Sequence, residues 1–297
     1  MIGAAMAGGN VVLDERSYAG CALASWSGRV HLAWTGSDYQ VNLLSSADGR
    51  AFEGKQTLPS RTYKFVREDA SRSQLDERSH MSSSTNKAVA LSPALAASAD
   101  ALHVAWTGTD GRLNVWDLGR GQAGPVTLPE RSRVAPALAA RGGEVVVAWG
   151  GTDRHVNLVI RTPAGWGRPW RLEERASATP AVCAAGRELA VAWTGTDRHL
   201  NLLTTREGRW LAPVRLDETT SGAPALCAPG DELVLAWTGS DRRVNLLTMA
   251  PGTEPAPLRL DARTSHHPAV CAHGGAVVVA WTGTDRRPNV LTLHPRF

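Results

Sequence analysis

The chain has 297 residues, is 43% hydrophobic and 20% charged, and carries a formal net charge of +4 that comes mostly from arginine. That apolar content builds a sizeable core without disulfide staples, and positive charge scattered among acidic residues argues against a nucleic-acid track. Met1 to Asn10 lacks both the basic start of a signal peptide and an apolar run long enough to span a bilayer, so the expectation is a soluble, cytoplasmic protein with no membrane contact.

In chain order, the first apolar run is Val11-Val12-Leu13-Asp14-Glu15. Cys21 and its neighbours begin a second run, Leu32-Ala33-Trp34 a third and Val41-Asn42-Leu43-Leu44 a fourth. Gln56-Thr57-Leu58 then starts the series again, with Gly, Pro, Asp and Ser at every break. Short apolar runs punctuated in this way read as strands, and no window supports an amphipathic helix. The same series recurs to the end of the chain. Its tryptophans fall at Trp34, Trp106, Trp149, Trp193, Trp237 and Trp281, and the last five are 43 or 44 residues apart. Four short strands in a repeat of this length predict an all-β, six-bladed β-propeller of four-stranded blades, one domain over residues 1–297.

The last unit stops after Val290-Leu291-Thr292 and lacks the run with which the chain begins. The N-terminal strand is therefore expected to complete the last blade and close the ring, which removes two free sheet edges. In Leu233-Val234-Leu235-Ala236-Trp237 both faces are apolar, as required of a strand covered on each side by a neighbouring blade. Cys183, Cys227 and Cys271 each sit ten residues before a tryptophan, and together with Cys21 they read as buried thiols rather than as a metal set or a disulfide framework.

One irregularity interrupts the period. Leu58 precedes Trp106 by 48 residues where the other units use 21, so an insertion at about 59–91 is expected. It contains Tyr63, Glu68, Asp69 and His80. Connections this long are usually binding loops, lids or disordered segments. Trp166, Trp170 and Trp210 lie near the third-to-fourth-strand turns and are candidates for a protein contact patch.

After each repeated tryptophan comes a Thr-Gly-Thr-Asp type of turn bearing Asp38, Asp110, Asp153, Asp197, Asp241 or Asp285. There Gly can take a positive φ and the carboxylate can accept backbone N–H bonds. Two positions on stand Gln40, Arg112, His155, His199, Arg243 and Arg287, which fit a solvated rim or a ring of ligand contacts. Each strand that follows carries an asparagine, Asn42 to Asn289, which needs hydrogen-bond partners if buried. Propeller topology puts these turns and the insertion on one face.

Ala-Trp-Thr-Gly-Thr-Asp followed by Leu-Asn-Leu, with the Ser46-to-Phe52 turn, resembles the bacterial tandem-repeat propellers related to lectin-like and sialidase-like repeat proteins. The resemblance covers the chain outside the insertion. It implies monosaccharide binding, often between adjacent blades, through aromatic, Arg and Asn/Asp side chains. The expected function is a non-catalytic glycan-binding propeller. Its candidate ligand contacts are Tyr39, Arg112, His155, His199, Arg243, Arg287, Asp110, Asp153, Asp197 and Asp241, with no cofactor and no metal. The chain departs from the sialidase pattern, because Ser46 to Phe52 is one residue short of an Asp box and no arginine triad is evident. The alternative expectation is an enzyme with a central pocket covered by the insertion, using His155, His199, His266, His267, Tyr63 or Glu68 as acid-base groups.

Overall fold

The computed structural model describes residues 6–7, 9–67, 86–119 and 124–294. Glu68, Asp69 and His80 lie outside these residues. The described chain forms six antiparallel sheets around an axis, with no helix among the described residues. Blade one comprises Ala22–Trp26, Arg29–Thr35, Gln40–Ser46 and Glu53–Arg61, from the axis outward. In blade four the corresponding strands are Ala181–Ala185, Glu188–Thr194, His199–Arg206 and Val214–Thr219. The Leu-bearing run that opens each sequence repeat is thus the outer strand of the preceding blade.

Blade six is built from Ala269–His273, Ala276–Thr282 and Pro288–His294, and its outer edge is paired by the two N-terminal strands Met6–Ala7 and Val11–Val12. The chain ends therefore meet in one sheet, as the missing run in the last repeat predicts.

Six apolar clusters hold the blades, each shared by neighbouring blades and each containing one repeated tryptophan. In the cluster between blades three and four, Trp193 packs with Val146, Ala148 and Leu158 of blade three. All six of these tryptophans are 1–6% exposed. The threonine after the tryptophan adds a polar stitch: Thr194 Oγ1 donates to the Gly222 carbonyl at 2.6 Å, on the connection into blade five. Equivalent bonds run from Thr35 to Leu91, Thr107 to Val134, Thr238 to His266 and Thr282 to Ala19. In blade three Gly150 takes the threonine's place.

The insertion begins as a two-stranded antiparallel ribbon, Tyr63–Arg67 with Asn86–Ala90. It leaves the connection between the outer strand of blade one and the inner strand of blade two. The four cysteines are free and buried, and burial pushes the Cys183 and Cys271 thiols up to about 12.

Leu13 tests ring closure because it is 8% exposed at the seam where the chain ends meet. Leu13→Ala should cost about 2–4 kcal/mol in urea unfolding, the usual range for a truncated core leucine, against a few tenths if the N-terminal strand were peripheral.

Candidate functional site

Each second-to-third-strand turn is built by the same side chains. In blade four the Gly195 N–H donates to the His199 carbonyl, Asp197 Oδ1 accepts the His199 N–H at 3.1 Å, and Asn201 Nδ2 donates to the His199 carbonyl at 3.0 Å. The Asp-to-backbone bond recurs at Asp38, Asp110, Asp153, Asp241 and Asp285. The asparagine bond recurs at Asn42, Asn114, Asn157, Asn245 and Asn289.

The turn glycine does not supply the positive φ that the sequence suggests. That conformation falls on the residue after the aspartate, with φ of 69° at Arg154 and Arg198 and 64° at Tyr39 and Arg242. Glycine is required for close approach instead: a Cβ on Gly195 would lie 2.6 Å from Asp197 Oδ1 and 3.0 Å from Asn201 Nδ2. The carbonyl of the left-handed residue then accepts an N–H from the end of the blade's outer strand, as in Thr62 to Tyr39 and Thr220 to Arg198. This places the turns and the outer-to-inner connections, the base of the insertion at Tyr63 included, at the same end of the blades. Tyr39 and Tyr63 meet there with ring centroids 5.0 Å apart.

The variable position two residues past the aspartate also has a structural partner. Around its leucine the outer strand carries extra residues relative to its neighbour, and the leucine carbonyl leaves the ladder. His155 Nδ1 donates to the Leu172 carbonyl at 3.0 Å, His199 Nδ1 to Leu216 at 2.9 Å and Arg287 Nε to Leu13 at 3.0 Å. Arginine, histidine and glutamine share a planar N–H donor, which accounts for variation in identity at a fixed position. Arg243 pairs with Asp241 and Asp261, and Arg112 Nε lies 3.8 Å from Asp110.

The second carboxylate oxygen of the turn aspartate distinguishes the blades. Arg171, on the outer strand, spans to Asp153 at 3.1 Å, Arg215 to Asp197 at 3.0 Å, and Arg259 to Asp241. Hydrogen bonds from Arg215 and the His199 backbone hold the Asp197 carboxyl below the usual range, and backbone N–H bonds do the same for Asp153 and Asp241. In blades one and two Thr57 and Thr127 stand where those arginines stand, and their hydroxyls donate to Asn42 Oδ1 and Asn114 Oδ1, each at 2.7 Å. Asp38 thereby faces open space.

That space is a cleft of about 430 Å³ between blades six and one. Asp14, Glu15, Arg16 and Arg287 form one wall, and Asp38, Asn42 and Lys55 the other, over Trp34. Lys55 Nζ lies 2.7 Å from Glu15 and 5.6 Å from the Trp34 ring centre, while Arg287 holds Asp14 at 2.9 Å. Of these residues only Arg287 belongs to the predicted contacts. The signal for Lys55 is departure from the repeat, since it occupies the position of Pro125, Pro169, Pro213 and Pro257. The remaining predicted contacts, Tyr39 in blade one and Asp110 with Arg112, Asp153 with His155, Asp197 with His199 and Asp241 with Arg243 in blades two to five, stay one pair or fewer to a blade around the rim and do not converge.

The axis offers much less room. The inner strands and their prolines enclose about 90 Å³, below the range of small-molecule sites. Among the residues just before those strands, His267 stands in a ring with Gly20, Ser92, Ala135, Thr179 and Ala223. Its Nε2 accepts from Ser92 Oγ at 2.8 Å and its Nδ1 lies 3.3 Å from the Pro268 carbonyl, with the ring against Gly20. Desolvation holds His267 down at about 4, so it is neutral at physiological pH. His266 bonds Ser265 Oγ at 3.0 Å. Neither histidine shows a carboxylate partner among the described residues. Of the tryptophans outside the repeat, Trp170 is 50% exposed and meets Trp210 edge-on at 5.7 Å.

No family model matches the chain, and no curated protein does. Solved structures do. A mutant of the Aleuria aurantia lectin in complex with alpha-methyl-L-fucoside aligns with a TM-score of 0.64 at 10% identity, over 94% of this chain and 92% of the lectin. The BP39L lectin of Burkholderia pseudomallei aligns at 0.62 and 12% identity, over 97% and 83%. The WD40 repeats of RRP9 align at 0.57 and 12% identity, over 98% and 100%. Such distant likeness establishes the propeller fold alone, which lectins and other proteins share.

Two outcomes follow from the turn and the axis. Gly195→Ala should lower stability by about 1–2 kcal/mol by displacing the Asp197 cap, whereas Arg198→Gly should be neutral or stabilising by up to about 1 kcal/mol; urea unfolding separates them. For His267 the folded pKa lies below the unfolded value, so its contribution is complete above about pH 6.5 and is lost as pH falls toward 4. His267→Ala should flatten that part of the pH–stability curve.

Proposed function

We propose that the chain is a carbohydrate-binding propeller whose principal site, the cleft between blades six and one, binds its ligand without catalysis. The carrying observation is that the exposed Asp38 carboxylate, like Asp110 and Asp285 without the outer-strand arginine that covers Asp153, Asp197 and Asp241, lines a cleft that also holds Lys55, Arg16 and Arg287. A sugar presents vicinal hydroxyls that donate and accept. Asp38 and Glu15 would accept from them, and Lys55, Arg16 and Arg287 would donate. A volume of about 430 Å³ fits a monosaccharide and part of a second ring. The fold likeness to lectins that include a fucoside complex supports the same ligand class.

The site differs from the one that repetition suggests. The six repeated tryptophans are buried between blades and offer no stacking face. Three of the turn aspartates are covered by arginine. Binding is accordingly assigned to one principal cleft in which polar contacts dominate.

Calorimetric titration with α-methyl-L-fucoside, followed by a panel of other monosaccharides, checks this reading. One principal site per chain is expected for at least one sugar. Asp38→Asn should weaken it about tenfold or more, as loss of a charge-assisted hydrogen bond does. Absence of binding across the panel, or unchanged affinity in Asp38→Asn and Lys55→Ala, would contradict the assignment.

A further inference from the structure

At the opposite end of the blades, a second cleft of about 350 Å³ opens between blades two and three. Three side chains of blade two meet at its wall. His103 Nδ1 lies 2.7 Å from Asp117 Oδ1, and His103 Nε2 lies 3.0 Å from Ser98 Oγ. Arg161, from blade three, holds the other oxygen of Asp117 at 2.8 Å and is itself stacked over Trp166 at 5.3 Å. With the Nδ1 proton directed at Asp117, Nε2 keeps its lone pair and accepts the serine proton. Ser98 also closes its own turn, since its Oγ lies 3.3 Å from the Ala101 N–H, a bond in which the oxygen accepts. The hydroxyl proton has two acceptors, His103 Nε2 at 3.0 Å and the Ala101 carbonyl at 3.4 Å, and the shorter contact is the one to His103.

This cluster breaks the repeat where the fold has no need of it. The place of His103 is taken by Val146, Ala190, Val234 and Val278 in blades three to six, and the cross-strand place of Asp117 by Ile160, Thr204, Thr248 and Thr292. Blade one has His31 opposite Ser45, without a carboxylate. His103 is 2% exposed, and burying an imidazole with a carboxylate costs stability that a Val/Thr pair does not. Asp117 is partly desolvated, yet bonds from His103 and Arg161 outweigh that and keep its carboxyl below the usual range, so it is ionised beside the imidazole. Gly119, Gly124 and Gly143 at the cleft leave room beside Ser98.

We infer that Ser98, His103 and Asp117 form a nucleophile–base–orienter relay, and that this cleft acylates Ser98 from a short acyl ester. Ser98 Oγ attacks the acyl carbon while its proton passes to His103 Nε2. The tetrahedral adduct collapses, the carbon–oxygen bond to the alcohol breaks, and the alcohol leaves with the proton from His103. Water then attacks the acyl-serine by the same proton route and releases the carboxylic acid. Asp117 fixes the imidazole tautomer and balances its transient positive charge, and Arg161 positions Asp117.

An alkyl fluorophosphonate tests the relay directly, since the Ser98 oxygen–phosphorus bond forms as phosphorus–fluorine breaks and the serine proton passes to His103. Intact-mass kinetics and peptide mapping on the full chain should show one adduct, on Ser98, absent from Ser98→Ala. The double variant His103→Val with Asp117→Thr restores the repeat pair found at Val234 and Thr248 and should fold. Its labelling should slow by about 100-fold or more, the usual worth of a positioned general base. No adduct on Ser98, or a slowing of less than about tenfold in the folded double variant, would overturn the inference.

Discussion

The burial of one tryptophan at each seam between blades is the constraint on which the rest of this structure depends. A four-stranded blade of this kind is apolar on both faces, so it cannot stand alone in water. Each seam is filled by a cluster such as Trp193 with Val146, Ala148 and Leu158. Truncating a buried tryptophan costs about 3–5 kcal/mol, and a ring has no spare seam to lose. Closure follows from the same need. Without Val11–Val12 on the edge of Pro288–His294, the last blade would keep an open edge beside the seam filled by Trp34.

Once the tryptophans fix the blades, the repeated polar residues fix the turns between them. Asp197, Asn201, His199 and Thr194 each satisfy a backbone group, either within the turn or on an adjoining strand or blade. These are the groups that would otherwise be left unpaired at the blade ends, where a buried polar atom without a partner is costly. A position kept in all six blades is therefore occupied with holding the ring. Chemistry free for a ligand arises where a blade departs from the pattern, as Lys55 does in blade one and His103 and Asp117 in blade two. The two clefts that result lie at different seams and at opposite ends of the blades, so their roles are separable.

The period of 43 or 44 residues, the strand runs and the missing run in the last repeat made the fold and its closure legible, because they express backbone requirements that every blade shares. The candidate site was less so. Repetition drew attention to Asp153, Asp197 and Asp241, but their pairing with Arg171, Arg215 and Arg259 depends on cross-strand register that spacing alone does not give. The left-handed residue was displaced by three from the expected glycine, since both positions satisfy a turn pattern and only the approach of Asp and Asn side chains decides between them. Glu15 and Lys55 are 40 residues apart and belong to different blades; only ring closure brings them together.

The central claim is that departures from the repeat, rather than the repeat itself, make the sugar site. Crystals soaked with a monosaccharide that binds in solution test it most directly. The account predicts sugar density in the cleft between Asp38 and Arg287, with the turns at Asp153, Asp197 and Asp241 unoccupied. Equivalent density at those arginine-covered turns, with the Asp38 cleft empty, would contradict it.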